Sequence, residues 1–353
     1  MNDIPSVTWN HPGVTILWAP RSPCDLGCKY CYFGTVEGNR DLAIAPRTGA
    51  LSHLGQYDLS LEIVLGFIES FTSKMVHRVF IAGGEPLNWA GTRPMVSALK
   101  GKNIQVIICT NGLSLSDEET FSWLIDSGIE ALSVSLDSYD ANYNDYWRRD
   151  PTGRGWQEIV RGIKTFIKKR NEIGSHTKVG IYAVITRLNI DHILETALFA
   201  GDLGMDYFII QPVSLAKEHK LHDELSLDGR HYGAFSKTID LLMKSGVKTR
   251  LPNDLYLKLI LHTIADRKTS LRVRGCFGGR DLFFIEPDGS VWDCPSMYKI
   301  AETRPDRFFS IKGRIAADIF SSARFLRDTD CACFSEDCVN MWQLMAFDEI
   351  IGS

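Results

Sequence analysis

The 353-residue sequence has no large excess of charge of either sign: 39 Lys and Arg stand against 43 Asp and Glu, a mildly acidic formal net charge of -4. It has no Lys/Arg-rich block, and so no electrostatic footprint for a nucleic-acid backbone or an anionic membrane; neither is expected as a partner. It also lacks any run approaching the roughly 18 to 20 apolar residues that a membrane-spanning helix needs. Met1 to Trp9 carries Asp3 and Pro5, with no basic start leading into an apolar run, so no secretory signal is read there and a cytoplasmic location is expected. Internal repeats of solenoid period and low-complexity tracts are missing too. At about 150 residues per domain the length allows about two domains, and a chain of this size buries enough surface to fold without disulfides.

Cysteine is not lacking. There are nine, an odd number, which in a chain read as intracellular points to metal binding or thiol chemistry. Cys24, Cys28 and Cys31 crowd one N-terminal loop, Cys276, Cys294, Cys331, Cys333 and Cys338 crowd the C-terminal fifth, and Cys109 stands alone between them.

Short apolar runs recur at Val14–Trp18, Val79–Ala82, Ile104–Cys109, Ala131–Leu136, Val179–Thr186 and Tyr207–Ile210. Between them lie segments with helical spacing, such as Ile63, Val64, Phe67, Ile68 and Phe71, or Trp156, Ile159, Val160, Ile163, Phe166 and Ile167. Strands buried on both faces and separated by helices imply a parallel sheet. Six units are too few to close an eight-unit barrel, so the expected fold is α/β, a partial (β/α)6 TIM-like barrel or an open doubly wound sheet. A helical stretch (Phe235, Ile239, Leu242, Met243, then Leu255, Leu259, Ile260, Ile264) follows. From Arg272 the pattern becomes irregular: Leu282–Glu286, a Pro287-Asp288-Gly289 turn and Ser290–Asp293 read as a β-hairpin. The expected domains are therefore a core over 1–220, a helical connector over 221–271 and a small hairpin and helix module over 272–353. That module has little apolar sequence of its own, so a metal site is expected to support it.

In a parallel α/β fold the ligand site lies at the carboxyl ends of the strands. The residues there are strongly polar: Arg21 and the three cysteines, Gly83-Gly84-Glu85-Pro86, Thr110-Asn111-Gly112, Ser135 and Asp137, Arg187 and Asn189, and Gln211. Any one of these groups is an ordinary loop former. Six loops delivering such groups to one face describe a pocket for a polar ligand. Cys109, in an apolar strand, reads as a core residue.

The loop Cys24-Asp25-Leu26-Gly27-Cys28-Lys29-Tyr30-Cys31 has the spacing C-x3-C-x2-C. Three thiolates from one tight loop can hold three irons of a cubane and leave the fourth iron without a protein ligand. Zinc would want four ligands, and no fourth Cys or His lies nearby; His11 and His53 are distant. The loop with its aromatic residue before the last cysteine, followed by Gly83-Gly84-Glu85-Pro86, resembles the radical S-adenosylmethionine (SAM) superfamily, and the resemblance runs in order from about Val14 to Gln211.

The resemblance implies that Cys24, Cys28 and Cys31 ligate a [4Fe-4S] cluster whose open iron binds SAM, making them the catalytic centre. It implies that Gly83, Gly84, Glu85 and Pro86 receive the SAM amino group and that Tyr30 lies against the adenine. Asn111, Ser135 and Asp137 then fall where ribose or carboxylate contacts are expected, Arg187 and Asn189 where the carboxylate and adenine sites are completed, and Gln211 at the end of the last strand. An external electron donor of the flavodoxin or ferredoxin type is implied as well.

Cys276, twelve residues, Gly289, four residues, Cys294 is similar to the opening of the auxiliary-cluster domains called SPASM and, in short form, twitch. Cys331, Cys333 and Cys338 supply more candidates than one cluster needs. Cys276, Cys294, Cys331 and Cys338 are the preferred ligands of a second [4Fe-4S] cluster, with Cys333 spare and interchangeable with Cys331. A structural zinc is the alternative.

The expected substrate is a small molecule: a carbohydrate, aminocyclitol or nucleoside undergoing dehydrogenation, epimerisation or decarboxylation in natural-product biosynthesis, as oxidoreductase or lyase chemistry. Two points support this. Peptide-modifying relatives often carry an N-terminal peptide-binding domain for which the position of Cys24 leaves no room, and the segment around the cluster loop is similar to the cytosylglucuronate decarboxylase type. The alternatives are a peptide-modifying enzyme of the same chemistry and a non-enzymatic iron-sulfur or zinc protein. Glu37, Arg40, Lys217, Glu218 and His219 are candidate substrate groups that read equally as solvated loop charges.

Overall fold

The computed structural model describes residues 13–32, 58–215, 219–265, 277–293, 295, 309–321 and 338–352. Its centre is the expected βα alternation: β1 (Val14–Arg21), α1 (Leu61–Glu69), β2 (Val76–Gly83), α2 (Thr92–Lys100), β3 (Gln105–Thr110), α3 (Glu118–Asp126) and β4 (Ala131–Ser135). Then follow α4 (Ala141–Trp147), α5 (Gly155–Ile173), β5 (Lys178–Ile185), α6 (Ile193–Leu203) and β6 (Tyr207–Pro212). The six strands pair in parallel in sequence order, and the sheet does not close: β6 forms one edge. Their β-branched and aromatic residues are buried on both faces, as a parallel sheet between two layers requires.

Alternate residues of each strand face opposite layers. Trp18 of β1 faces outward onto Phe67 and Phe71 beside α1, at centroid distances of 6.0 and 6.3 Å. The helices start and stop on local signals. Ser60 caps α1 by accepting from the Ile63 N–H, Asp117 caps α3 by accepting from the Thr120 N–H, and α5 ends at Gly174, whose φ of +67° places it in the left-handed region. The expected buried stripes form, except at their margins, where Ile63 and Met243 are exposed.

Beyond β6 come α7 (His222–Leu225), α8 (Tyr232–Lys244) and α9 (Asp254–Ala265). The expected hairpin is present as β7 (Leu282–Ile285) and β8 (Ser290–Trp292), turning at Gly289 with φ +88°. Its placement adds to the sequence reading. β7 pairs in parallel with β1, so β7, β8 and β9 (Phe309–Ser310) continue the barrel sheet. Leu282, Phe283, Phe284 and Ile285 are buried in the shared core, and Phe283 meets Phe320 of α10 (Ala316–Phe320) at 4.9 Å. The hairpin takes its apolar burial from the barrel.

The last described helices, α11 (Cys338–Met345) and α12 (Phe347–Ile351), lie against the inner face of the open barrel. Phe347 packs edge-on to Phe80 of β2 and Tyr207 of β6, at 5.1 and 5.6 Å. Arg78 of β2, fully buried, donates to the Asp348 carboxylate, to Gln105 Oε1 at 2.8 Å and to the Leu344 carbonyl at 3.3 Å. The charge at Arg78 interrupts the apolar run in the sequence, which is why the strand is read as starting at Val79 when it starts at Val76. No helix among the described residues is long and apolar enough to cross a membrane.

Candidate active site

The carboxyl ends of the strands open on a cleft of about 1260 Å³, part of it continuous with solvent. Inward-facing strand residues form its wall: Leu17, Ala82, Cys109, Ser133, Ser135, Tyr182 and Gln211. The cluster loop closes one side, and α11 forms the floor with Asn340, Met341, Gln343 and Leu344.

The cluster loop is held at both ends. Arg21 pairs with Asp58 at 3.0 Å, and the Ser22 hydroxyl donates to the same carboxylate at 2.6 Å. Gly27 N donates to the Arg149 carbonyl and Lys29 N to the Trp147 carbonyl, at 2.8 and 2.9 Å, which ties the loop to the end of α4. Cys24, Cys28 and Cys31 are half-buried thiols on the same cleft. Burial pushes the Cys24 thiol up, with Glu85 and the neighbouring cysteines adding to it. Cys28 is pushed up to about 12 by burial, against the pull of Arg148. Thiolates in this loop therefore need compensating positive charge from a metal group. Among the described residues no three His, Cys, Asp or Glu side chains converge on a point suited to a single ion. Three thiols spread around one cleft suit a cluster wider than one ion, and the donor set fits [4Fe-4S].

The Gly83-Gly84-Glu85 segment lies directly under that loop. Gly84 N donates to the Arg21 carbonyl at 2.9 Å and Glu85 N to the Pro23 carbonyl at 2.7 Å. The approach is so close that a Cβ on Gly84 would stand 1.9 Å from the Pro23 oxygen. Gly83 takes φ +108° where β2 ends. The Glu85 carboxylate accepts from the Thr110 hydroxyl at 2.7 Å, Asn111 N at 2.7 Å and Leu87 N at 3.0 Å. Burial nevertheless pushes its pKa up to about 7. Asn111 donates from Nδ2 to the Asp25 carboxylate and stands 3.8 Å from the Cys24 sulfur.

Of the residues read from the sequence, Cys24, Cys28, Tyr30, Cys31, Gly83, Gly84, Glu85, Asn111, Ser135 and Gln211 line the cleft. Four others do not. Pro86 is buried at the start of a short 3-10 turn, where its carbonyl accepts from the Thr92 hydroxyl. Asp137 lies behind the wall, where its carboxylate accepts from the Tyr30 hydroxyl, from Arg148 at 2.9 Å and from Val184 N at 2.7 Å. Asn189 spends its side chain on Thr186 N, the Asp137 carbonyl and the Val184 carbonyl. Arg187 is exposed and donates to the Asp223 carbonyl at 2.7 Å. Asp137 and Asn189 thus position the wall, and Arg187 points out of it. Cys276, Cys294, Cys331 and Cys333 lie outside the described residues, as do Glu37, Arg40, Lys217 and Glu218; Cys338 is the first residue of α11.

Other lining residues are not found by reading the strand ends. Cys109, read as core, faces the cleft, and its thiol is pushed up to about 12 by burial. Its inward parity with Ser133 and Tyr182 of the neighbouring strands is the signal that could have found it. Arg148 lines the cleft beside the cluster loop with its Nε unpaired, but it follows a helix, where the strand-end rule does not reach. Asn340 and Gln343 come from α11, over a hundred residues beyond the strands they face.

Residues 22–200 match the family described as the Radical SAM superfamily. Among curated proteins the chain is similar to mycofactocin maturase MftC of Mycolicibacterium smegmatis, 24% identical over 80% of this chain and 64% of that protein. It is also similar to GTP 3',8-cyclase of Pseudomonas syringae, 29% identical over 56% of this chain and 53% of that protein. The chain thus spans less than two thirds of either relative. Among solved structures, Streptococcus suis SuiB bound to S-adenosylmethionine superposes with TM-score 0.62 at 17% identity, over 88% of this chain and 66% of that one. A second SuiB structure holds the precursor peptide SuiA, with TM-score 0.55 at 17% identity, over 82% of this chain and 61% of that one. The structure of anSMEcpe with bound AdoMet gives TM-score 0.65 at 16% identity, covering 97% and 95%. At these identities the structural likenesses establish the fold, a partial barrel with an open sheet.

Proposed function

The chain belongs to the radical SAM superfamily, and we propose that it is an enzyme that modifies a peptide. Members of this family are enzymes that use a [4Fe-4S] cluster and SAM. When bound, these cofactors supply a 5'-deoxyadenosyl radical able to take a hydrogen atom from an unactivated C–H bond; the protein supplies binding, orientation and exclusion of water. In this reading Cys24, Cys28 and Cys31 hold the cluster. Gly83 and Gly84 let the β2 backbone approach the methionine end of SAM, Tyr30 is held in place by Asp137, and Asn111 fixes the loop through Asp25. Leu17, Met341 and Leu344 make the rest of the wall apolar. An external donor of the ferredoxin or flavodoxin type supplies the electron.

The observation that carries the peptide reading is the likeness to a maturase, and the charge of the cleft adds that a phosphate-bearing substrate is disfavoured. Among the described residues its only cationic lining residue is Arg148, whose guanidinium is already paired with Asp137 at 2.9 Å. A phosphate-bearing substrate such as a nucleoside triphosphate would need free cations. A peptide asks for neutral hydrogen-bonding groups, which the cleft has; a neutral sugar or nucleoside asks for the same, so the choice of a peptide among neutral substrates rests on the relatives. The maturase relative and the SuiB complex with a precursor peptide support the same reading. The test is anaerobic incubation of the reconstituted protein with SAM, dithionite and synthetic peptides encoded beside its gene, followed by mass spectrometry. A SAM-dependent mass change in a peptide is expected; SAM-dependent turnover of a sugar or nucleoside, with every peptide unaltered, contradicts it.

The C-terminal cysteines are proposed to hold a second cluster through Cys276, Cys294, Cys331 and Cys338, with Cys333 spare. Iron counting on reconstituted protein should give about eight per chain for two cubanes and about four after Cys276→Ala with Cys294→Ala. An unchanged count of about four in the parent protein refutes the second site.

A further inference from the structure

The floor of the cleft holds a group of neutral polar side chains from β5, β6 and α11. Gln343 and Asn340 of α11 are 98% and 99% buried. Gln343 Nε2 donates to Gln211 Oε1 at 3.1 Å, and Asn340 Nδ2 donates to the Pro212 carbonyl at 3.4 Å, so both reach the end of β6. Their remaining oxygens, Gln343 Oε1 and Asn340 Oδ1, are shielded from solvent and have no hydrogen-bond partner; the Tyr182 hydroxyl on β5 is in the same state. All four side chains line the cleft. An unmet buried oxygen is costly, and three around one cleft are a standing cost that a molecule in the cleft can relieve.

The chemistry of the group limits what that molecule is. Two carboxamides joined by one hydrogen bond use one N–H and one carbonyl, and this leaves a carbonyl on one and N–H groups on the other whichever way the two amides are turned. An acceptor and a donor side by side are the complement of an amide, which offers its own N–H and C=O. None of the four side chains is charged, so the group has no preference for a carboxylate or phosphate.

We propose that Gln211 and Gln343, with Asn340 and Tyr182, form a substrate subsite that holds a peptide group through its N–H and C=O; the assignment to a peptide rests on the functional reading above. The subsite is built from β5, β6 and α11, so α11 reads the substrate as well as closing the barrel.

The test is saturation-transfer NMR on the full reconstituted chain with SAM under anaerobic conditions. The probes are N-acetyl-alanine methylamide, guanosine and methyl glucoside, each presented to the parent protein, Gln343→Met and Tyr182→Phe, with melting curves recorded for all three proteins. Tyr182→Phe removes one oxygen and leaves the packing in place, so it decides the matter if Gln343→Met fails to fold. The blocked alanine is expected to bind the parent and to bind Gln343→Met about tenfold more weakly, with a several-fold loss in Tyr182→Phe. Equal binding of the blocked alanine by the parent and the folded variants overturns the subsite and leaves the peptide reading standing. Binding of guanosine or the glucoside alone, lost in the variants, overturns the peptide assignment. Binding of none of the probes by the parent protein also overturns the proposal.

Discussion

Glu85 joins the ends of two strands: it leaves β2, and its carboxylate collects the Thr110 hydroxyl and Asn111 N at the end of β3. Burial outweighs those hydrogen bonds and raises its pKa from 4.5 to about 7. A carboxyl whose folded pKa exceeds its unfolded one binds its proton more tightly in the folded state. Its contribution to stability is complete below the unfolded value and is lost as pH rises through about 7. Glu85→Gln, neutral throughout, lacks that loss. Urea unfolding of the cluster-free protein at about pH 5 and about pH 8 should show the parent losing more stability across this interval than Glu85→Gln; parallel losses would refute it. Gly84 beside it is fixed by space rather than charge. Gly84→Ala places a Cβ against the Pro23 carbonyl and must push the cluster loop off the strand end. A shift of about 1 Å in such a constellation costs on the order of 10²-fold in rate, so SAM cleavage should fall by about that factor while overall helicity by circular dichroism is kept. At this scale the place of Cys24, Cys28, Cys31, Gly83 and Gly84 on the cleft is legible because their spacing is local, while that of Cys109 is not. Arg148, Asn340 and Gln343 were not, because only the folded chain brings them to the strand ends. Arg187 was misplaced for a related reason: the strand-end rule names positions, and the direction of a side chain in the loop depends on contacts such as that with the Asp223 carbonyl.

At the level of elements, the six inner strands and their helices follow from runs and periodicities that any parallel α/β chain must carry. The hairpin followed from Asp288-Gly289, but its attachment to β1 did not, since no local signal states which strand a hairpin joins. The C-terminal helices are the other element that needed the structure. They are pinned by a buried ion pair between Arg78 on β2 and Asp348 on α12. Removing one partner of such a pair strands the other charge, at a cost of about 3–5 kcal/mol. With the Asp348 side chain one-fifth exposed, Asp348→Asn should fall toward the lower end of that range in urea unfolding. A change within about 0.5 kcal/mol, the usual effect of a neutral surface substitution, would show that α11 and α12 are held by packing alone.

For the molecule as a whole, an open parallel barrel gathers six strand ends on one side, the cysteine loop covers them, and α11 closes the interior from the other. In the proposed function the radical chemistry depends on the first two, and in the proposed subsite the choice of substrate depends on the third. The most direct measurement is chromatographic quantification of 5'-deoxyadenosine formed from SAM and dithionite by anaerobically reconstituted protein, compared with Cys24→Ala, Cys28→Ala and Cys31→Ala. The parent should form 5'-deoxyadenosine and each variant should form none above the protein-free control. No 5'-deoxyadenosine from iron-loaded parent protein, or undiminished formation by the variants, would contradict the account.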